Sequence, residues 1–168
     1  VVDGVAQKMV YRHPHVFGGT MKADNSEQVL ANWEVLKRKE KGQASTADAI
    51  ESVPHTMPAL WRAEKTAAKT AKVGFDWEDT MSALCKLEEE VRELRQAMEA
   101  GRTVDERHGI REELGDTLFV AAKLAQMTGI DPEDALHRAC DKFDSRFRLV
   151  ENAADKPLAE YAKEELLA

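Results

Sequence analysis

Two stretches of this sequence decide its fold: Lys86-Leu87-Glu88-Glu89-Glu90-Val91-Arg92-Glu93-Leu94 and Glu112-Glu113-Leu114-Gly115-Asp116. Both are rich in residues that favour an α-helix. Glu90 and Glu93 stand three positions apart, as do Glu113 and Asp116, so each pair shares one face of its helix. The chain between them is long enough to reverse direction. Two antiparallel helices can therefore present four carboxylates to each other across one seam.

Apolar residues follow the helical period in both regions, at steps of three and four. The seam predicted on the first helix consists of Leu84, Leu87, Val91, Leu94 and Met98. The side predicted on the second consists of Ile110, Leu114, Leu118, Ala121 and Ala125. No stretch alternates with a period of two for long enough to make a strand, so the fold class is all-α.

Start and stop signals bound the helices. Asp76 or Asp79 is a candidate N-cap for the first of these helices, and Asp131-Pro132 is a strong start signal for a later one. Glycines mark the expected helix ends, at Gly74, Gly101 and Gly129. The predicted helices span 58–73, 78–99, 105–128 and 132–152, which together form a four-helix unit. Pro157 is expected to open a short C-terminal helix.

The chain before this unit is interpreted as a helical arm followed by a linker. Its first residues resemble the end of a helix that Pro14 stops. Ser26 is a plausible N-cap for a helix near 27–40. Glycine, serine and proline in the next segment predict a loop-like linker. The three regions are the arm at 1–41, the linker at 42–57 and the helical domain at 58–168.

Composition and charge exclude several function classes. The chain has 168 residues and a net charge of −7, whereas a protein that grips long nucleic acid is usually basic. No apolar stretch is long enough to span a bilayer. Cys85 and Cys140 show no CxxC spacing, which fits a reducing, cytoplasmic setting. We expect a cytoplasmic globular protein with neither long nucleic acid nor membrane as a partner.

The four carboxylates predict a metal site. Like charges at this distance repel each other, and a cation removes the repulsion. Because neither stretch contains His or Cys, the donors are oxygens, which suits Mg²⁺ or Mn²⁺. The alternative is a solvated helix face whose acids only pair along the helix, as Glu88 with Arg92 and Glu89 with Lys86 would. A di-iron site is a weaker rival, because Asp105-x-x-His108 and Asp134-x-x-His137 use Asp where that motif uses Glu.

Two further features lie near these acids. Gly115 stands inside a predicted helix, where glycine is unfavourable by about 1 kcal/mol relative to alanine, and a close helix approach would explain it. Lys142 and Arg146 stand four positions apart on the fourth predicted helix, so they share a face. They could hold phosphate oxygens, or they could be surface residues paired with neighbouring aspartates.

Taken together, these stretches resemble the MazG family of nucleoside triphosphate pyrophosphohydrolases, whose signature is ExxE followed by ExxD. Here these motifs are Glu90-Val91-Arg92-Glu93 and Glu113-Leu114-Gly115-Asp116. Three longer stretches strengthen the match: Met57–Leu60 running on to Val73–Trp77, Glu112–Phe119 and Lys142–Phe147. Arg12–Gly18 looks like the end of the first of two tandem family domains, and Ala6–His13 aligns faintly with Cys140–Phe147. We therefore interpret 1–41 as the tail of a preceding MazG-like domain.

The resemblance implies an α-helical homodimer that hydrolyses nucleoside triphosphates to nucleoside monophosphate and pyrophosphate. It implies Mg²⁺, with Mn²⁺ as a substitute, held by Glu90, Glu93, Glu113 and Asp116, and a metal-activated water as the attacking group. The residues expected near the nucleotide are Lys86, Glu89, Lys142 and Arg146. Glu89 and Glu90 are the expected catalytic residues, with Glu89 as a candidate general base.

Departures from the family pattern keep two other classes open. The family commonly has Asn two residues before the Lys of the Lys-Phe motif, where this chain has Cys140. The chain could therefore be a catalytically idle helical dimer that binds nucleotides without turnover. It could also be an interaction module whose arm docks a partner. Metal-dependent turnover separates an enzyme from both.

Overall fold

A computed structural model describes residues 2–17, 25–40 and 42–162, and within these ranges every regular element is helical. The α-helices are α1 Val2–Arg12, α2 Pro14–Phe17, α3 Ser26–Glu40, α4 Thr46–Glu51, α5 Ala59–Ala71, α6 Thr80–Glu99, α7 Ile110–Thr128 and α8 Pro132–Ala153, followed by a 3₁₀ turn at Leu158–Glu160. This confirms the all-α class. None of the described helices is long and apolar enough to cross a membrane.

The described chain forms two compact units. One comprises the residues up to 55 together with 69–75, and the other comprises 56–68 and the residues from 76 onward. In the first unit, α1 packs on α3, and the Arg12 Nε atom lies 2.7 Å from Glu40 Oε2. The Arg12 guanidinium and the Lys37 ammonium both lie over the Trp33 ring. Cation–π contacts and an ion pair therefore hold this helix pair.

Two predictions about the first unit are wrong in detail. The N-cap of α3 is Asn25, not Ser26, because Asn25 Oδ1 accepts the Gln28 N–H at 2.8 Å and the helix already begins at Ser26. The segment 42–57, predicted as loop-like, contains the helix α4. A capping box starts it, in which Ser45 and Asp48 each bond the other's backbone N–H. The Ser45-x-x-Asp48 spacing is the local signal of that helix.

The second unit contains the predicted long helices. Asp79 caps α6 by accepting the Ser82 N–H, and Asp131 caps α8 by accepting two backbone N–H groups, with Pro132 in the first turn. The Trp61 indole N–H also donates to Asp131 Oδ1 at 2.8 Å. Gly129 ends α7 in the left-handed conformation that favours glycine. The start signals in the sequence are therefore the ones that the fold uses.

The helix predicted at 105–128 begins later than expected. Residues 102–109 form a compact turn, and α7 starts only at Ile110. His108 has a positive φ of 54°, which the α-helix does not allow, and Gly109 occupies the N-cap position. The predicted helix is wrong over this segment because its backbone leaves the helical region.

The predicted apolar seams are largely not the faces that meet between α6 and α7, the helix pair with the most extensive contact in the second unit. Val91, Met98, Leu114 and Leu118 are exposed. The buried positions are alanines, charged groups and one valine: Ala83, Glu90 and Ala97 on α6, and Glu113, Val120, Ala122 and Lys123 on α7. Small alanine side chains allow the two helices to approach closely, and that approach encloses the two glutamates.

The explanation predicted for Gly115 is also wrong. A Cβ atom added to Gly115 would meet no other atom within 4 Å, so no helix of the second unit approaches it closely. Its neighbour Leu114 is exposed on the same helix. Packing within the chain therefore does not explain this glycine.

Helix α8 differs from the hairpin of α6 and α7. In its 22 residues only Pro132 is buried. Its exposed apolar residues include Leu136, Phe143, Phe147, Leu149 and Val150. The rings of Phe143 and Phe147 stack on each other with centroids 6.0 Å apart. An amphipathic helix with this much exposed apolar surface has an unfilled face in the single chain.

Candidate functional site

Three carboxylates converge between α6 and α7. Glu90, Glu113 and Asp116 each offer an oxygen, and the three oxygens lie within 4.8 Å of one another. Only 6% of Glu90 and 5% of Glu113 is exposed, whereas Asp116 is open to solvent. Two acids are thus held inside the hairpin, with the third at its opening.

The position of these acids follows from helical spacing. Ala83 lies two turns before Glu90 on α6 and Ala97 lies two turns after it, so all three share one face of the helix. Both alanines are buried together with Glu90. Glu113 lies in the first turn of α7, and Asp116 follows one turn later. The close contact of the two helices therefore brings carboxylates together that are distant in sequence.

The charges of this cluster are only partly compensated. Desolvation raises the pKa of Asp116, and the negative charges of Glu90 and Glu112 raise it further, while Lys86 and His108 oppose them. The Lys86 Nζ atom lies 3.0 Å from Glu90 Oε1 and 2.9 Å from Glu89 Oε1. The bonds to Glu89 and Glu90 raise the pKa of Lys86 and keep it positively charged. One ammonium therefore faces several carboxylates.

This donor set fits a divalent cation. All three converging atoms are carboxylate oxygens, which Mg²⁺ and Mn²⁺ prefer over nitrogen or sulfur. Two of the acids are buried, and buried charges normally need a partner of opposite sign. Desolvation is the largest cause of the raised pKa of Asp116, and the nearby negative charges of Glu90 and Glu112 add to it. A cation at this position would offset these negative charges.

Glu93 is the predicted ligand that does not join the other three. It lines an open pocket of about 260 Å³ next to Glu113, together with Gln96, Ala97, Arg102 and His108. Glu113 is common to the cluster and the pocket. The pocket therefore opens directly beside the carboxylate cluster.

The other predicted site residues occupy two places. Lys86 and Glu89 lie beside the cluster, and the ion pair with Lys86 lowers the pKa of Glu89. Lys142 and Arg146 lie on the exposed part of α8, next to Phe143 and Phe147. Among the described contacts, none joins either residue to the carboxylate cluster. The described contacts therefore bring Lys86 to the acidic part of the predicted site, but neither Lys142 nor Arg146.

The rival di-iron arrangement gains no support. The Asp105 Oδ1 atom accepts the Arg111 Nε at 2.7 Å, and the Asp134 Oδ2 atom accepts the Arg138 Nε at 2.6 Å. Both aspartates of the rival motif are therefore engaged by arginines. Neither contributes to the group of converging carboxylates.

Sequence reasoning missed two sets of residues in the second unit. Arg102 and His108 line the pocket, although the pattern placed His108 within a helix. Lys123, only 2% exposed, lies 2.6 Å from Asp76 and 2.7 Å from Gln126 Oε1. A lysine within the apolar run of the second helix was the available signal for this buried ion pair.

Fold and site together define an all-α protein with an acidic centre suited to a divalent cation. Residues 75–150 match the MazG nucleotide pyrophosphohydrolase domain. This confirms the resemblance that its motifs indicated. The matched range contains α6, α7 and most of α8.

Curated relatives agree with this assignment. The chain is 40% identical over 151 residues to a nucleoside triphosphate pyrophosphohydrolase of Escherichia coli strain K12, covering 90% of this chain. It is 36% identical over 156 residues to the nucleoside triphosphate pyrophosphohydrolase/pyrophosphatase MazG of Thermotoga maritima, covering 93% of this chain. It spans 56% of the length of each of these two relatives. It is also 40% identical over 162 residues to the uncharacterized protein YabN of Bacillus subtilis, covering 96% of this chain and 32% of that protein.

Proposed function

We propose that this chain hydrolyses nucleoside triphosphates to nucleoside monophosphate and pyrophosphate in the presence of Mg²⁺. The observation that carries the proposal is the convergence of Glu90, Glu113 and Asp116, two of them buried, between α6 and α7. Two relatives that resemble the chain over most of its length bear the name of this activity. An acidic centre also needs a cation before it can approach a polyphosphate, since both are negatively charged.

Four acids of this chain would hold the cation. Glu90, Glu113 and Asp116 provide converging oxygens, and Glu93 lies one turn from Glu90 in the pocket that includes Glu113. Mn²⁺ is the expected substitute because it accepts the same oxygen donors. When bound, the cation neutralises phosphate oxygens and makes a nearby water more acidic.

Lys86 and Glu89 are proposed to act beside the acids. The ion pair with Lys86 lowers the pKa of Glu89, so Glu89 is ionised at neutral pH and able to accept a proton. The same pairing makes it a weaker base than a free glutamate, which limits its role to a water that is already acidified. Lys86 keeps Glu89 and Glu90 on one side of the site through bonds of 2.9 and 3.0 Å.

The basic residues of α8 are proposed to bind phosphate in a homodimer. Lys142 and Arg146 share a face of α8, and the adjacent Phe143 is 65% exposed. Exposed Leu114 and Leu118 on α7 add apolar surface outside the carboxylate cluster. Burial of the apolar residues of α8 and α7 against a second copy would complete the hydrophobic packing that the described part of the single chain lacks.

We also propose a reducing, cytoplasmic setting. Cys85 and Cys140 are both free and both exposed. Exposed thiols persist in compartments that keep them reduced. Cys85 should react with a thiol reagent in the folded protein without prior reduction.

The first test is ³¹P NMR of the protein with a mixed pool of nucleoside triphosphates, with and without Mg²⁺. Monophosphate and pyrophosphate should form only with Mg²⁺. Nucleoside diphosphate with phosphate would show a different cleavage, and binding without turnover would favour an idle nucleotide-binding dimer. Absence of both would favour an interaction module.

Glu90→Gln tests the assignment of the acids. It keeps the side-chain volume and removes one buried charge, so we expect at least a roughly 100-fold loss of turnover. Glu88→Gln is the matched control, because Glu88 is exposed on the same helix. Equal activity of the two variants, each with wild-type helical content, would contradict the role of Glu90.

A further inference from the structure

The turn at residues 102–109 joins α6 to α7 and ends four positions before Glu113. Its backbone is strained, because His108 has a φ of 54°, in a region that side chains other than glycine rarely adopt. Such conformations persist only where the surrounding structure enforces them, and they are frequent at functional sites. The contacts that hold His108 in this conformation therefore indicate the function of the turn.

Backbone crowding fixes the turn at Gly109. A Cβ atom at this position would lie 2.5 Å from the Thr103 carbonyl oxygen and 2.6 Å from that of Glu106. Both atoms belong to the backbone, so a side chain could be accommodated only if the turn itself moved. The Gly109 N–H also donates to the Glu106 carbonyl at 2.8 Å. Glycine is thus required here by a close approach of the chain to itself.

Two charged side chains hold the same turn, one from within it and one from α7. The Arg102 Nη1 atom donates to the carbonyl oxygens of Arg107 and His108, at 3.4 and 3.1 Å. From the α7 side, Glu112 Oε2 accepts the His108 backbone N–H at 2.6 Å. His108 is therefore fixed at its own carbonyl and at its own N–H by two charged groups, which compensates for the strain in its φ angle.

The fixed His108 faces the carboxylate cluster. Its Nδ1 atom lies 3.6 Å from Glu113 Oε1, and Glu113 is only 5% exposed. The two residues also line the same pocket. Because Glu113 is buried and acidic, the group that faces its carboxylate influences where that carboxylate points. Groups that orient ligands in this way typically alter metal affinity 10- to 100-fold.

We propose that the 102–109 turn is a positioning element for Glu113, and that His108 is the residue through which it acts. This rests on the proposed function, in which Glu113 is a metal ligand. The turn sets the strained backbone of His108, and the imidazole then holds the Glu113 carboxylate toward Glu90 and Asp116. His108 is thus a positioning residue and not a metal ligand.

The test measures Mn²⁺ affinity of the full chain directly, by EPR of free Mn²⁺, so that it does not depend on turnover. His108→Asn retains a residue that tolerates positive φ and removes the imidazole from Glu113. We expect a roughly 10-fold weaker Mn²⁺ affinity at an unchanged unfolding temperature. His137→Asn, at an exposed position on α8, is the matched control and should bind Mn²⁺ as the wild type does.

A second pair of variants tests the backbone. Gly109→Ala must displace the turn and should also weaken Mn²⁺ binding, whereas Gly115→Ala, with open space around its Cβ, should leave the affinity unchanged. Wild-type Mn²⁺ affinity in His108→Asn overturns the proposal, whether or not Gly109→Ala loses affinity or folding. Glu113→Gln separates the two levels of inference. If Glu113→Gln binds Mn²⁺ as the wild type does, the assignment of Glu113 as a metal ligand fails. If Glu113→Gln loses affinity while His108→Asn and Gly109→Ala keep it, only the positioning role fails.

Discussion

The hairpin of α6 and α7 differs from the helix α8 in which kinds of side chain are buried and which are exposed. The hairpin encloses charged groups, Glu90, Glu113 and Lys123, and leaves Leu114 and Leu118 exposed. Helix α8 buries only Pro132 and exposes its apolar residues. The hairpin is therefore organised around a site, at a cost in hydrophobic burial. Within the described residues of the second unit, the apolar residues of helix α8 stay exposed.

The largest effect is expected when the buried ion pair of the hairpin is broken. Asp76→Asn removes the carboxylate 2.6 Å from Lys123 Nζ, and Lys123 is 2% exposed. An ammonium left buried without its charged partner should lower the free energy of unfolding by roughly 3 kcal/mol. Chemical denaturation with urea measures this change.

The matched control for that change is the double variant Asp76→Asn with Lys123→Met. It removes both charges and fills the buried site with an apolar side chain of similar length. Because an apolar replacement of a buried pair is often neutral, this variant should recover most of the lost stability. If Asp76→Asn alone is as stable as the wild type, the ion pair between Asp76 and Lys123 does not stabilise the folded protein.

The next effect concerns α8. Leu136, Phe143, Phe147 and Val150 recur at steps of seven, four and three, so they form one apolar stripe, whereas Leu149 lies on the other side of the helix. If a second copy covers the stripe, Leu136→Ser removes about 2 kcal/mol of apolar burial per protomer. The dimer dissociation constant should rise at least about 10-fold, as measured by analytical ultracentrifugation.

Leu149→Ser is the control for the apolar stripe of α8. It makes the same substitution on the same helix at a position that is 68% exposed, but off the stripe. It should leave the association constant unchanged. Equal weakening by both variants would show that α8 as a whole, and not one face of it, contacts the partner. A wild-type protein that sediments as a monomer at all concentrations would contradict the homodimer.

The same contrast explains how much could be predicted from the sequence. Local signals were sufficient for α6 and α8, because their caps Asp79 and Asp131 act within a few residues of themselves. The spacing of Glu90, Glu93, Glu113 and Asp116 predicted one cluster of four acids, which three of them form and Glu93 does not join. Periodicity shows which residues share a face, but it does not show which face meets the partner helix.

The remaining features depend on contacts between distant atoms. The positive φ of His108 arises from bonds to Arg102 and Glu112, and no helical propensity encodes it. The orientation of Glu93 toward the pocket depends on how α6 packs against α7. Likewise, the burial of Lys123 follows from its ion pair with Asp76, a residue outside both helices.

A smaller effect is expected at Gly115, on the exposed side of the hairpin. Its added Cβ meets no atom within 4 Å, so Gly115→Ala should raise the free energy of unfolding by about 1 kcal/mol through helix propensity alone. Thermal denaturation at a concentration where the protein is monomeric measures this. A loss of stability would show that something in the chain approaches Gly115 after all.

The smallest effect concerns the charge of the cluster and its dependence on pH. Burial and the charges of Glu90 and Glu112 raise the pKa of Asp116 above its ordinary value of 3.8. A carboxyl group with a raised pKa in the folded state stabilises folding below the ordinary value, and that contribution is lost as the pH rises through the folded-state pKa. Ionised Asp116 therefore destabilises the metal-free protein at neutral pH.

With EDTA at pH 7, Asp116→Asn should unfold roughly 2 °C higher than wild type, and the difference should vanish below about pH 4. Added Mg²⁺ should reverse the order, because a ligand that binds only the folded state stabilises the protein that holds it. A variant less stable than wild type in EDTA at pH 7 would contradict this account.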